Sequence, residues 1–129
     1  MHVPGSHNQS QQLLLQAEYV SRLFVYSGGE PVLCPGAALI VDSSISISGI
    51  AHPDGFNMLV KQYFSNINKA YDFPDHFEYN SSQCKKIKHY MHLNNINSLV
   101  TTQKDFVKLQ KYFSNFNIYV IEVRHHLDS

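Results

Sequence analysis

From Leu39 onward the apolar residues of this chain alternate between short dense runs and a spacing of three to four, a pattern that predicts strands alternating with helices. Ala38–Ile50 is rich in isoleucine and valine and ends near Gly49, so it holds a strand. Pro53 suits the first turn of a helix. Phe56, Leu59, Val60, Tyr63 and Phe64 then recur on one helical face as an amphipathic stripe. A second, short strand is expected around Asn68–Phe73. Asn80 can cap the next helix with Gln83 as its capping-box partner, and that helix turns Cys84, Ile87, Met91 and Tyr90 inward. Asn97–Thr102 reads as a third strand. Thr102 with Asp105 forms another capping box, opening a helix with Phe106, Leu109 and Phe113 on its buried side. Ile118–Val123 closes the series as a fourth strand.

The order β-α-β-α-β-α-β from about residue 38 predicts an α/β fold, a small and mostly parallel sheet with helices on both faces. Residues 1–10 are polar, with Pro4 and Gly5, and read as a flexible lead-in. Residues 11–37 read as a helix and loop: Leu13, Ala17, Val20, Leu23 and Phe24 share one helical side over Leu13–Phe24, and Gly28–Gly36 is a loop. Residues 38–129 form the α/β domain. Gln62-Tyr63-Phe64-Ser65-Asn66-Ile67-Asn68 returns almost unchanged as Lys111-Tyr112-Phe113-Ser114-Asn115-Phe116-Asn117. In each copy an aromatic pair ends a helix, Ser-Asn stops it, and a strand follows, with asparagine suited to the left-handed conformation there. Two copies make one local solution used twice, not a solenoid.

Composition narrows the picture. A chain of 129 residues with 43% hydrophobic and 12% aromatic content suits one domain with a real core. Ten basic and ten acidic side chains cancel, leaving no overall field for nucleic acid or acidic lipid, and no nucleic-acid partner is expected. Lys85, Lys86 and Lys88 form a local basic patch that reads as a solvated helix face. Cys34 and Cys84 lack C-x-x-C spacing and are too few for a disulfide framework. No apolar run approaches the roughly 20 residues that span a bilayer. Leu13-Leu14-Leu15 is too short, without a preceding basic segment, to predict a signal peptide.

Candidate chemistry gathers at Phe73-Pro74-Asp75-His76-Phe77-Glu78-Tyr79, between a predicted strand and a predicted helix. In open α/β sheets ligands bind at that end of the strands. His76 is either satisfied by a backbone carbonyl in a turn or is a proton handler at a cleft, as an imidazole allows near neutral pH. Adjacent side chains tend to diverge, so a carboxylate other than Asp75 is expected to hold it. Thr101-Thr102-Gln103-Lys104-Asp105 opens a helix whose first amides favour anions, which makes Thr101, Thr102 and Lys104 candidate substrate contacts. Lys104 opposes the helix dipole there, an effect that Asp105 or an anionic ligand offsets; the alternative is a plain capped helix start. His89 and His92 could share a metal, but no further ligands stand at a suitable spacing, and no metal site is expected. His52 precedes Pro53 where asparagine or serine would cap better. Neither G-x-x-x-x-G-K-[ST] nor G-x-G-x-x-G occurs, so nothing cradles a triphosphate in the P-loop manner.

Three blocks, in order, carry a family resemblance: Ser48-Gly49-Ile50-Ala51-His52-Pro53, Phe73-Pro74-Asp75-His76 with Tyr79, and Val100-Thr101-Thr102-Gln103-Lys104-Asp105-Phe106-Val107-Lys108-Leu109. Over about residues 38–124 the chain resembles the C-terminal domain of tetraacyldisaccharide 4′-kinase, the lipid A 4′-kinase. The resemblance implies transfer of the γ-phosphate of ATP, with Mg2+, to the 4′-hydroxyl of a tetraacylated disaccharide 1-phosphate. It also implies peripheral attachment to the cytoplasmic face of the bacterial inner membrane. The family's N-terminal domain carries the P-loop, the metal-binding acids and a catalytic aspartate; the histidine of F-P-D-H pairs with that aspartate, a role that falls on His76 beside Asp75. The P-loop domain is therefore an implied partner, in cis or trans, and this chain is expected to be a fragment inactive alone. Phe77 stands where the family often has a second histidine, His52 where asparagine is usual, and Gln103 where glutamate is common. Two competitors are a stand-alone α/β interaction module without chemistry and a metal-dependent hydrolase using His76, His89 and His92.

Overall fold

The computed structural model describes residues 19–35 and 39–125. Six strands and three helices follow in chain order: β1 (Tyr19–Tyr26), β2 (Val32–Leu33), β3 (Ser44–Ser48), α1 (Pro53–Tyr63), β4 (Ile67–Asp72), α2 (Ser81–Leu93), β5 (Ser98–Thr102), α3 (Gln103–Leu109) and β6 (Asn117–His125). They form one sheet in the order β2-β1-β6-β5-β3-β4. The pairs β3–β4, β3–β5 and β5–β6 are parallel, whereas β1 runs antiparallel to both β2 and β6. The mostly parallel α/β sheet expected from the alternating pattern is present, widened by two strands.

Those two strands correct the reading of residues 11–37. The helix expected over Leu13–Phe24 is absent where the chain is described: Tyr19–Tyr26 is a strand paired residue for residue with His125–Ile118 of β6. Residues 13–18 of that expectation, and the lead-in at 1–10, lie outside the described residues. Val20, Leu23 and Phe24 fit a helical spacing, but Tyr-Val-Ser-Arg-Leu-Phe-Val-Tyr is also β-branched and aromatic. An unpaired edge on β6 supplied the ladder that decided between the two. Within the expected loop, Val32–Leu33 pairs with Val25 and Phe24 as a two-residue edge.

The helices divide between the faces. On one side α1 sets Phe56 and Val60 against Leu23, Val100 and Ile121. On the other, Cys84, Ile87 and Met91 of α2 and Leu109 of α3 pack on Ile45, Ile47, Leu99, Ile118 and Val120. Strand β3 lies between β4 and β5 and is buried throughout, so its pattern is a continuous run and not an alternation. The edge strand β4 is largely exposed and carries Lys69, whose ammonium lies 4.8 and 4.9 Å from the Tyr71 and Tyr90 ring centres; a charge on an open edge discourages pairing with another chain.

Capping follows the sequence only in part. The Asn80 side chain accepts the Gln83 amide proton at 2.8 Å, but Gln83 Oε1 is buried without a partner, so the reciprocal half of the box is not made. His52 makes no side-chain cap on α1. The left-handed residue expected after the repeated Ser-Asn stops occurs instead at Asn95, after α2.

Candidate functional site

Strand β4 lies on one side of β3 and β5 on the other, so the connections leaving β3 and β5 diverge to opposite faces. That reversal opens a crevice outside the carboxyl ends of the two strands. Three connections meet there: β3 to α1, β4 to α2 and β5 to α3. Gly49 marks where they touch. A Cβ on it would lie 3.1 Å from the Tyr79 hydroxyl, 3.2 Å from the Pro74 carbonyl oxygen and 3.3 Å from Asp105 Oδ1, closer than ordinary packing allows.

Asp105 ties the three together. It is 0% exposed. The Gly49 amide donates to its Oδ2 at 3.0 Å, the Tyr79 hydroxyl to its Oδ1 at 3.0 Å, and the Thr102 hydroxyl to its Oδ2 at 2.7 Å. Its own amide donates to Thr102 Oγ1 at 3.0 Å, which caps α3. Burial, with the neighbouring Asp105 carboxylate, pushes the Tyr79 phenol well above its ordinary range, so it stays a donor. Thr102 caps α3 as expected, but the Asp105 carboxylate closes on the Thr102 hydroxyl and also joins residues 26 and 56 positions away.

The Phe73–Tyr79 loop is held on every side. The Phe73 amide donates to Ser48 O at 2.7 Å, the Phe77 amide closes a turn onto Pro74 O at 3.1 Å, and Lys108 Nζ donates to Phe77 O at 3.2 Å. The Phe77 ring stacks on Phe73 with centres 4.3 Å apart, so the position where the family often has histidine is taken up by packing. This rigid frame projects His76, whose φ is +60° and whose side chain is 79% exposed. A non-glycine residue in that region carries strain, and such strain gathers at functional positions.

Asp75 does reach its neighbour, against the expected divergence. Its Oδ2 lies 3.5 Å from His76 Nε2, while its Oδ1 accepts from Lys104 Nζ at 2.7 Å. The hydrogen bond from Lys104, helped by the charge of His76, holds the Asp75 carboxyl below the usual range. Lys104 at the start of α3 is thus balanced by a carboxylate from another loop. Thr101 is 0% exposed and its hydroxyl donates to Ile47 O at 2.7 Å, so it does not face the crevice. Thr102 and Lys104 do: with Ile50, Phe56, Leu59 and Ile121 they line a groove of about 390 Å3. His89 and His92 sit near the opposite, amino edge of the sheet with Asn97, so they do not converge with His76.

The family model described as tetraacyldisaccharide-1-P 4′-kinase matches residues 9–129. The chain belongs to this family. Curated relatives named tetraacyldisaccharide 4′-kinase include one from Bdellovibrio bacteriovorus, 33% identical over 54% of this chain and 20% of the relative. One from Rickettsia bellii is 36% identical over 50% of the chain and 20% of the relative, and one from Bartonella quintana 27% identical over 63% and 25%. The match spans about a fifth to a quarter of each relative's length. No solved structure matches significantly.

Against the blocks that carry this kinase resemblance, the structure separates two roles that sequence alone merges. Gly49, Tyr79, Thr102 and Asp105 interlock, whereas Asp75, His76 and Lys104 form an exposed array above them. No local spacing links Gly49, Tyr79 and Asp105, which lie in three separate blocks; along the chain Asp105 reads only as the partner of Thr102. Gln103 Nε2 donates to Glu122 Oε2 at 2.9 Å, so the glutamate common in the kinase family would here meet a carboxylate. Among the described residues no three His, Cys, Asp or Glu side chains converge as metal ligands. The kinase family implies nucleotide use, and the sequence holds no P-loop motif to cradle a triphosphate. No helix among the described residues is long and apolar enough to cross a membrane.

Proposed function

We propose that this chain forms the histidine-bearing wall of a lipid A 4′-kinase, acting with a P-loop domain that brings ATP, Mg2+ and a catalytic carboxylate. The substrate would be an acylated disaccharide 1-phosphate, met at the cytoplasmic face of the bacterial inner membrane by peripheral contact. The observation that carries the reading is His76: an exposed imidazole at the carboxyl edge, held in a left-handed turn by a loop that is otherwise fully anchored. Asp75, itself held by Lys104, lies 3.5 Å from Nε2, which leaves the other ring nitrogen for a carboxylate across a cleft. A histidine so paired positions and tunes the proton acceptor in phosphoryl transfer, where placement and electrostatics supply most of the catalysis. Lys104 and Thr102 at the apolar groove suit an anionic substrate with hydrocarbon beside it. Thr101 is left out, since its hydroxyl is committed within the sheet.

The test combines the chain with a separately expressed P-loop domain of a family kinase and measures 4′-phosphorylation of the lipid disaccharide. Activity should require both parts, and His76→Ala should lower the rate by about 10²–10⁴-fold, the usual share of a proton-handling side chain. Transfer that is unchanged by His76→Ala, or that proceeds equally well without this chain, rejects the reading. A chain that folds but has no affinity for the disaccharide would favour a stand-alone interaction module without chemistry, and measured binding would argue against that module.

A further inference from the structure

The lysines and histidines of α2 remain unused by the carboxyl-edge site. Lys85, Lys88, His89 and His92 fall at successive turns of one face of this 13-residue helix. They line a groove of about 480 Å3 whose other wall is Asn97, just before β5, and Asn115, just before β6. Phe116 supplies the apolar part of the lining. The groove therefore lies near the amino edge of the sheet, away from His76. No carboxylate is among its lining residues. Lys88 is further placed by its ammonium, 5.9 Å from the Phe113 ring centre.

A solvated helix face would present such side chains convexly, to water alone. Here three separate segments contribute two lysines, two histidines and two asparagines to the lining of one groove. Those groups together offer many donors, which matches the several acceptor oxygens of a tetrahedral, multiply charged anion. The C-terminal half of α2 on its own disfavours an anion, because the helix dipole is negative there. Any attraction must then come from the side chains, and it should vanish when their charge is reversed. Two histidines alone, with no third ligand among the described residues, leave the metal alternative unsupported.

We propose that this groove is a second anion site, separate from the kinase crevice, for a phosphomonoester or diphosphate group. The same phosphate chemistry could be offered by a soluble compound or by a lipid headgroup. The full 129-residue chain is titrated with inorganic pyrophosphate and followed by NMR, and separately mixed with phosphatidylcholine vesicles with or without phosphatidic acid. The expected result is saturable shifts of the Asn97 and Asn115 carboxamide signals and of the His89 and His92 rings. The Lys85→Glu/Lys88→Glu double variant should weaken binding about tenfold or more, whereas Lys61→Glu on α1 changes it less than about twofold. Pelleting with phosphatidic acid vesicles, lost in the double variant, marks a lipid headgroup as the source; pyrophosphate binding without pelleting marks a soluble one. Should the double variant fail to fold, the wild-type shift map still decides. Shifts that do not saturate, that spread over all lysines alike, or that concentrate at His76 and Lys104 overturn the proposal, as does failure of both probes to bind.

Discussion

Asp105, in the first turn of α3, and Asp75, on the loop after β4, stand at the same edge of the sheet, both within blocks that mark the family, yet their surroundings are opposite. Asp105 is 0% exposed and takes three donors, from Gly49, Tyr79 and Thr102. Asp75 is 35% exposed and faces two groups that can carry charge, Lys104 and His76. A buried carboxylate is kept only where its lone pairs are filled, so Asp105 serves the fold. An exposed carboxylate adds little to stability, because water competes for its partners. Asp75 instead accepts from Lys104 at 2.7 Å and lies 3.5 Å from the His76 ring. The comparison teaches that a family motif can mix residues that build the site with residues that use it.

The comparison breaks most directly at Asp105. Asp105→Ala orphans the buried Gly49 amide and the Tyr79 and Thr102 hydroxyls, and should destabilise the chain by about 3 kcal/mol or more in urea denaturation. A loss no larger than that of a surface change would deny Asp105 its structural role. Gly49→Ala should follow, at about 1–3 kcal/mol, since its methyl group would press on backbone and on Asp105 itself. If the crevice were loose enough to absorb a methyl without loss, the close approach described for Gly49 would not be a constraint.

His76 sharpens the contrast from the other side. His76→Gly relieves a left-handed residue and should leave stability unchanged or raise it by up to about 1 kcal/mol, while lowering transfer in the reconstituted kinase by about 10²–10⁴-fold. A substitution that stabilises and inactivates is the signature of a residue kept for chemistry, and equal loss of both properties would argue the reverse. The smallest effect is electrostatic. Because Lys104 depresses the Asp75 carboxyl, this pairing contributes above the ordinary carboxyl range and is lost as pH falls through the lowered value. Lys104→Met should therefore move the Asp75 titration midpoint upward in NMR, toward the ordinary carboxyl range. No movement would mean that the ammonium does not hold Asp75 in solution.

Much of this was legible in the chain. The alternation from Leu39 onward fixed the parallel β-α-β-α-β-α-β series because periodicity reports which face of each element is buried. Asn80 and Thr102 announced two helix starts, since a cap is a contact within a few residues. The site's location followed from order alone, because a strand-to-helix connection in such a sheet opens at its carboxyl edge. The contribution of β1 was not legible: Tyr19–Tyr26 is a strand through pairing with β6, about 100 residues later, and no local spacing carries that information. Nor could sequence reveal that Thr101 bonds to Ile47, that Asp75 reaches both His76 and Lys104, or that Asp105 meets Gly49 and Tyr79. Short-range order is set by neighbours along the backbone and can be read from them. Contacts between distant loops exist only once the sheet has brought their ends together, and there the tertiary structure alone divided the residues that hold the crevice from those that face into it.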